Sequence, residues 1–103
     1  NIEKTVTDLS YLNFKSLESV EFLEMYGSRN TNITSLEDLL PKLKSSNRIS
    51  IRLFTALYDF SLFKDIADAM TEDAQWYVRT CGPGTVTLQQ MKESATGDFT
   101  PAN

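Results

Sequence analysis

The stretch "RISIRLFTAL", residues 48–57, decides the fold of this chain. Ile49, Ile51 and Leu53 alternate with Ser50, Arg52 and Phe54, the two-residue period of a strand with one apolar face. Read onward into "YDFSLFKDIADAM", the same residues instead open a long bent helix. The β-branched Ile pair and the preceding "SSN", a good helix stop, favour a strand over 48–54. A helix over 61–70 then follows, capped by Asp59 or Ser61, with Phe63, Ile66, Ala67 and Met70 on its buried stripe.

Upstream, "SVEFLEMY" at 19–26 carries Val, Phe and Tyr, which suit a pleated setting, and reads as a strand ended by Gly27. It places Val20, Phe22 and Tyr26 on one face and Leu23 and Met25 on the other. "DLSYLNF" before it is a candidate turn or short helix from Asp8. "TSLEDLLPKLKSSN" reads as a helix over 35–45. Thr34 with Glu37 has capping-box spacing, and Leu36, Leu39, Leu40 and Leu43 form one stripe. Pro41 opposes it, at about 3 kcal/mol in a helix interior, so a kink or an early end is expected there.

Downstream, Trp76 and Val78 alternate with Tyr77 and Arg79, giving a strand over 75–80, and "GPG" at 82–84 is a turn. "TVTLQQMKES" opens as a short strand or as a helix capped by Thr87 with Gln90. Strand starts at 19, 48 and 75 are separated by 27 to 29 residues, the size of a βαβ unit. The expected fold is therefore α/β, a small parallel or mixed sheet flanked by at least two helices. A compact all-α bundle is the alternative. A short leucine-rich array has compatible spacing, although its Leu/Asn signature is absent. Residues 1–8 read as a frayed end, 9–95 as one compact domain, and 96–103 as a mobile tail unless Phe99 docks on the body.

Composition narrows the function. The 103 residues are 41% hydrophobic, with six Phe, four Tyr and one Trp, too apolar for a disordered chain. The formal charge of −4 argues against a non-specific nucleic-acid binder, which needs net positive charge to displace counterions. No apolar run is long enough to cross a bilayer, and "NIEKTVTDLS" has no apolar signal core. The missing initiator Met fits a processed product or a fragment. The lone Cys81 excludes an internal disulfide and mildly favours a reducing, cytoplasmic setting. "NIT" at 32–34 matches the glycosylation acceptor pattern, a triplet that chance supplies often.

Chemistry is scarce. With no His, the common acid/base residue near neutral pH and the Ser-His and Cys-His arrangements are gone. One Cys makes no four-cysteine metal site, and no Gly-rich phosphate loop is present. The acidic group Asp65, Asp68, Glu72 and Asp73 does not match calcium-loop spacing. No cofactor, metal ligand or catalytic residue is assigned. "ALYDF" at 56–60 resembles the opening signature of SH3 domains, and "QWYVR" at 75–79 echoes their tryptophan segment. The likeness stops at those ten residues. "LFKDIADAM" reads as helix where SH3 domains have strands, and no function is carried over.

The remaining candidates are partner-binding residues. Arg48 and Arg52 share a strand face with Ser50, while Tyr77 and Arg79 share the strand face opposite Trp76. Arg and aromatic residues are favoured at interface hot spots. Arg48, Arg52, Trp76, Tyr77 and Arg79 are therefore the expected contacts of a non-catalytic protein-interaction or accessory module. Its partner would be another protein or another part of a longer chain, with no membrane and no nucleic acid expected. A small enzyme domain using carboxylates, or a purely structural domain, is the alternative.

Overall fold

A computed structural model describes residues 3–6, 17–27 and 32–101. Five strands form one mixed sheet in the order in which the chain makes them: β1 (Glu3–Val6), β2 (Ser19–Tyr26), β3 (Ser45–Arg52), β4 (Trp76–Cys81) and β5 (Gly84–Val86). The first four run parallel and β5 turns back antiparallel on β4. Ser19 faces Ser45 and Ile49 faces Trp76, so each strand lies beside its successor after a step of 26 and then 27 residues. Two helices, α1 (Lys64–Ala69) and α2 (Leu88–Glu93), flank the sheet. "RISIRLFTAL" is thus a strand followed by a turn, and the all-α alternative is excluded.

Alternation drives the layering. Leu23 and Met25 of β2, Ile49 and Ile51 of β3, and Trp76 and Val78 of β4 are buried on one face. They join a single core with Phe63, Ile66 and Ala67 from the first helical segment and Leu88 and Met91 from α2. A short 3-10 helix (Ser61–Phe63) leads into α1; neither helix start has a side-chain cap, Phe60 and Phe63 holding the cap positions, and the Asp59 carboxylate instead accepts from the Ser61 N–H at 2.9 Å in a turn just before them.

The helix expected over 35–45 does not form. Leu39 and Leu40 N–H groups both reach the Leu36 carbonyl, at 3.1 and 3.0 Å, and the next bond is Leu43 to Leu40 at 3.2 Å. Pro41 has no N–H to continue the ladder, so the segment stays a pair of turns. Thr34 forms no capping box. Ser35 Oγ accepts from the Glu37 N–H instead, at 3.2 Å. The leucines still reach the core: Leu36, Leu40 and Leu43 are buried. With the helix gone, "SSN" is free to pair. Ser45 Oγ donates to Ser19 Oγ at 2.9 Å and Asn47 Nδ2 to Glu21 Oε1 at 2.7 Å, so β3 begins three residues before the expected 48. It also ends earlier, because Leu53 takes a left-handed backbone with φ of 68°.

Both readings of "TVTLQQMKES" hold in succession. Val86 ends β5, and α2 starts with Thr87 Oγ1 accepting from Gln90 N at 3.1 Å while Gln90 Oε1 accepts from Thr87 N at 2.8 Å. Gly84, at φ of 91°, closes the β4–β5 turn in a conformation that a side chain would strain. The segment read as a frayed end contributes Glu3–Val6 as edge strand β1. The suggested turn from Asp8 lies outside the described residues. At the other end the stated exception is met: Phe99 packs edge-on against Phe60, and its N–H donates to the Tyr58 carbonyl at 2.9 Å. Residues 61–69 are helical, so the SH3 likeness does not extend to the fold.

Candidate functional site

The fully buried strand residues Leu23, Met25, Ile49, Ile51, Trp76 and Val78 pack with the helices on one side, and no described helix covers the other face. Parallel sheets are ordinarily covered on both faces. In stacked solenoid architectures, by contrast, an open sheet surface is the binding surface. The face that no described helix covers is assembled from every second residue of three strands. Register places Phe22 beside Arg48, then Glu24 beside Ser50 and Tyr77, then Tyr26 beside Arg52 and Arg79.

Four of the five expected contacts therefore meet here. Arg48, Tyr77 and Arg79 are exposed, Tyr77 by 41%, and Arg52 is half-buried. The fifth does not. Trp76 points to the other side, is only 4% exposed, stacks edge-on with Phe63 and donates its indole N–H to the Val86 carbonyl at 2.8 Å. Alternation forces this: neighbours on a strand face opposite ways, and the large ring goes to the core. Trp76 is a core residue, which removes it from the candidate surface.

The guanidiniums and rings are stacked on one another. Arg48 lies over Phe22 at 4.9 Å, and Arg52 lies over Tyr26 at 4.3 Å and near Tyr77 at 5.4 Å. Arg79 lies 4.8 Å from the same Tyr77 ring. The two ion pairs among the described residues, Lys44–Glu18 and Lys64–Asp68, involve none of these arginines. A chain with a formal charge of −4 thus carries a local face of three guanidiniums against one described carboxylate, Glu24. Between them lies an open depression of about 280 Å³, lined by Phe22, Glu24, Arg48, Ser50, Arg52 and Tyr77 among others. Ser50, 8% exposed, forms its polar floor.

Phe22, Tyr26, Glu24 and Ser50 complete the face and were not among the expected contacts. Their period-two spacing in 19–26 and 48–54 was visible, but only the register shows that Phe22 and Tyr26 meet Arg48 and Arg52.

Elsewhere the described residues bring together little chemistry. Among the described residues no three His, Cys, Asp or Glu side chains gather as a metal site. Of the acidic group, Asp68 pairs with Lys64 at 2.9 Å, and Glu72 forms a capping box with Gln75. A second depression, about 190 Å³ between the start of β3 and α1, contains one carboxylate, Asp65, just as the first contains only Glu24. Neither brings together the pair that acid/base chemistry needs. Cys81 is buried against the core, and burial, partly offset by a backbone hydrogen bond from Phe54, pushes its thiol up to about 11.

The raised thiol yields a direct expectation. The unfolded thiol ionises near its ordinary value of 9.0 and the folded one only near 11, so the chain loses stability as pH rises through that window. At pH 8.5 a thiol reagent should label Cys81 only as fast as the protein opens, and immediately in denaturant. Rapid labelling of the native chain would show an accessible thiolate instead.

Among the described residues no helix is long and apolar enough to cross a membrane. The chain matches no family model, no curated protein and no solved structure. It is a small α/β domain whose functional reading rests on its own geometry.

Proposed function

We propose that this domain is a non-catalytic protein-interaction module, and that the uncovered face of its parallel sheet receives an acidic segment of another protein. One observation carries the reading: Arg48, Arg52 and Arg79 interleave with Phe22, Tyr26 and Tyr77 on a face that no described helix covers, and no described carboxylate forms an ion pair with any of the three. Stacked rings hold each guanidinium in place before binding, which lowers the ordering cost of recognition. Positive charge concentrated on one face of an acidic chain also steers an acidic partner to that face and away from the rest.

A nucleic-acid partner fits less well. Bases are read by stacking on free aromatic faces, whereas these three rings already carry guanidiniums, and Glu24 stands within the patch. Neither depression among the described residues supplies the paired acid and base that an enzyme reading would need.

Fluorescence anisotropy with short labelled peptide pools, one rich in Asp and Glu and one rich in Lys and Arg, tests the proposal. The acidic pool should bind, and combined Arg48→Ala, Arg52→Ala and Arg79→Ala substitution should weaken it by more than about tenfold, as expected for interfacial arginines. The melting profile should change little, because these side chains lie outside the core. No binding of the acidic pool, or tighter binding of single-stranded RNA, would overturn the reading.

A further inference from the structure

Within that face, Arg52 and Arg79 stand apart. They are register partners on adjacent parallel strands, whose backbones lie roughly 4.8 Å apart. Like charges placed directly opposite one another destabilise a sheet, and no described carboxylate pairs with either. Both approach the same Tyr77 ring, and Arg52 also stacks on Tyr26. The Arg52 Nε is buried without a hydrogen-bond partner, so the stem side of this guanidinium is held between rings.

The next position on each strand is also unusual. Leu53 and Thr80, immediately after the two arginines, both adopt the left-handed backbone, with φ of 68° and 55°. Neither residue type favours it. Thr80 sits in the irregularity between Val78 and Cys81, the kind of bulge that re-aims neighbouring side chains. Gly27, beside them, donates to the Arg52 carbonyl at 2.8 Å, and a Cβ there would meet the Leu53 carbonyl at 2.7 Å. The end of the sheet where the arginine pair sits is therefore built from strained or tightly restricted backbone, which is found where a site constrains the chain.

We infer that Arg52 and Arg79 form a subsite for a phosphate monoester on the acidic partner segment, an inference that rests on the interaction reading above. A phosphate monoester carries nearly two negative charges and three acceptor oxygens. It can neutralise both guanidiniums and accept from both forks at once, whereas a carboxylate has two coplanar oxygens and matches one fork. Glu24 lies one row away, opposite Ser50 and Tyr77, so its charge is beside the pair rather than between its members.

The test uses the full chain and two peptide pools identical except for a central phosphoserine or glutamate. The phosphoserine pool should bind at least about tenfold tighter. Arg52→Lys and Arg79→Lys, which keep the charge but lose the fork, should each weaken the phosphoserine pool more than the glutamate pool, so that the ratio of the two affinities falls toward one. Titration of the unsubstituted chain with inorganic phosphate, followed by NMR, should move the Arg52 and Arg79 Nε–H signals, with acetate leaving them in place. This measurement holds even if a Lys variant folds poorly. Equal affinity for the two pools, or unmoved Nε–H signals, overturns the phosphate subsite and leaves the acidic-segment reading standing. Failure of both pools to bind overturns both readings, as does tighter binding of single-stranded RNA.

Discussion

Trp76→Ala is expected to lower the unfolding free energy by about 3–5 kcal/mol, the range for removing a large aromatic from a core. Trp76 sits at the start of β4, where it ties three other elements together. Its ring meets Phe63 at a centroid distance of 6.2 Å, tying β4 to the first helical segment. Its indole N–H reaches the Val86 carbonyl across to β5. Its backbone pairs with Ile49 in the middle of the sheet. Small domains are stable by only about 5–15 kcal/mol in total, so this single change takes a large share and should leave part of the chain unfolded at ambient temperature. Trp76→Phe separates the contributions. It keeps an aromatic ring but leaves the buried Val86 carbonyl unpaired, at a cost of about 1–3 kcal/mol. Urea unfolding followed by circular dichroism measures both variants. A loss below about 1 kcal/mol for the alanine variant would show that Trp76 is not the core residue described. It would also reopen the partner-binding role that its aromatic character first suggested.

Phe60→Ala should destabilise by a comparable amount, about 3–5 kcal/mol, and act on a different part of the molecule. Phe60 is fully buried immediately before the first helical segment, and its N–H donates to the Gly97 carbonyl at 2.9 Å. Its ring meets Phe99 edge-on at 6.3 Å, and an antiparallel bridge joins Asp59 to Asp98. Removing the ring creates a cavity and also withdraws the apolar anchor of the C-terminal segment. Amide hydrogen exchange should therefore show Phe99, whose N–H is bonded to the Tyr58 carbonyl, losing protection before the strands do. Phe99→Ala serves as the comparison: Phe99 is only half-buried, so it should release the segment at a much smaller cost in global stability. If Phe60→Ala left the protection at Phe99 unchanged, the segment would be held by its backbone bonds alone.

Much of the fold was legible because alternation is a local property. Residues 19–26 were bounded correctly as a strand, since Val, Phe and Tyr suit a pleat and Gly27 follows. Thr87 was readable as a cap because capping depends on residues three positions apart. The helix over 35–45 was misread because a capping-box spacing and a leucine stripe are also satisfied by turns. The competing demand of "SSN" for pairing with Ser19 and Glu21 comes from a strand 26 residues away. The same limit applied to the site. Arg48, Arg52, Tyr77 and Arg79 could be put on strand faces from the sequence alone. Which rings they stack on, and the opposition of Arg52 to Arg79, depend on inter-strand register, which no local pattern encodes. Trp76 shows the division most clearly. Its alternation with Tyr77 was written in the sequence, but only the packing of Phe63 on one side of the sheet decided which face was core and which was left open.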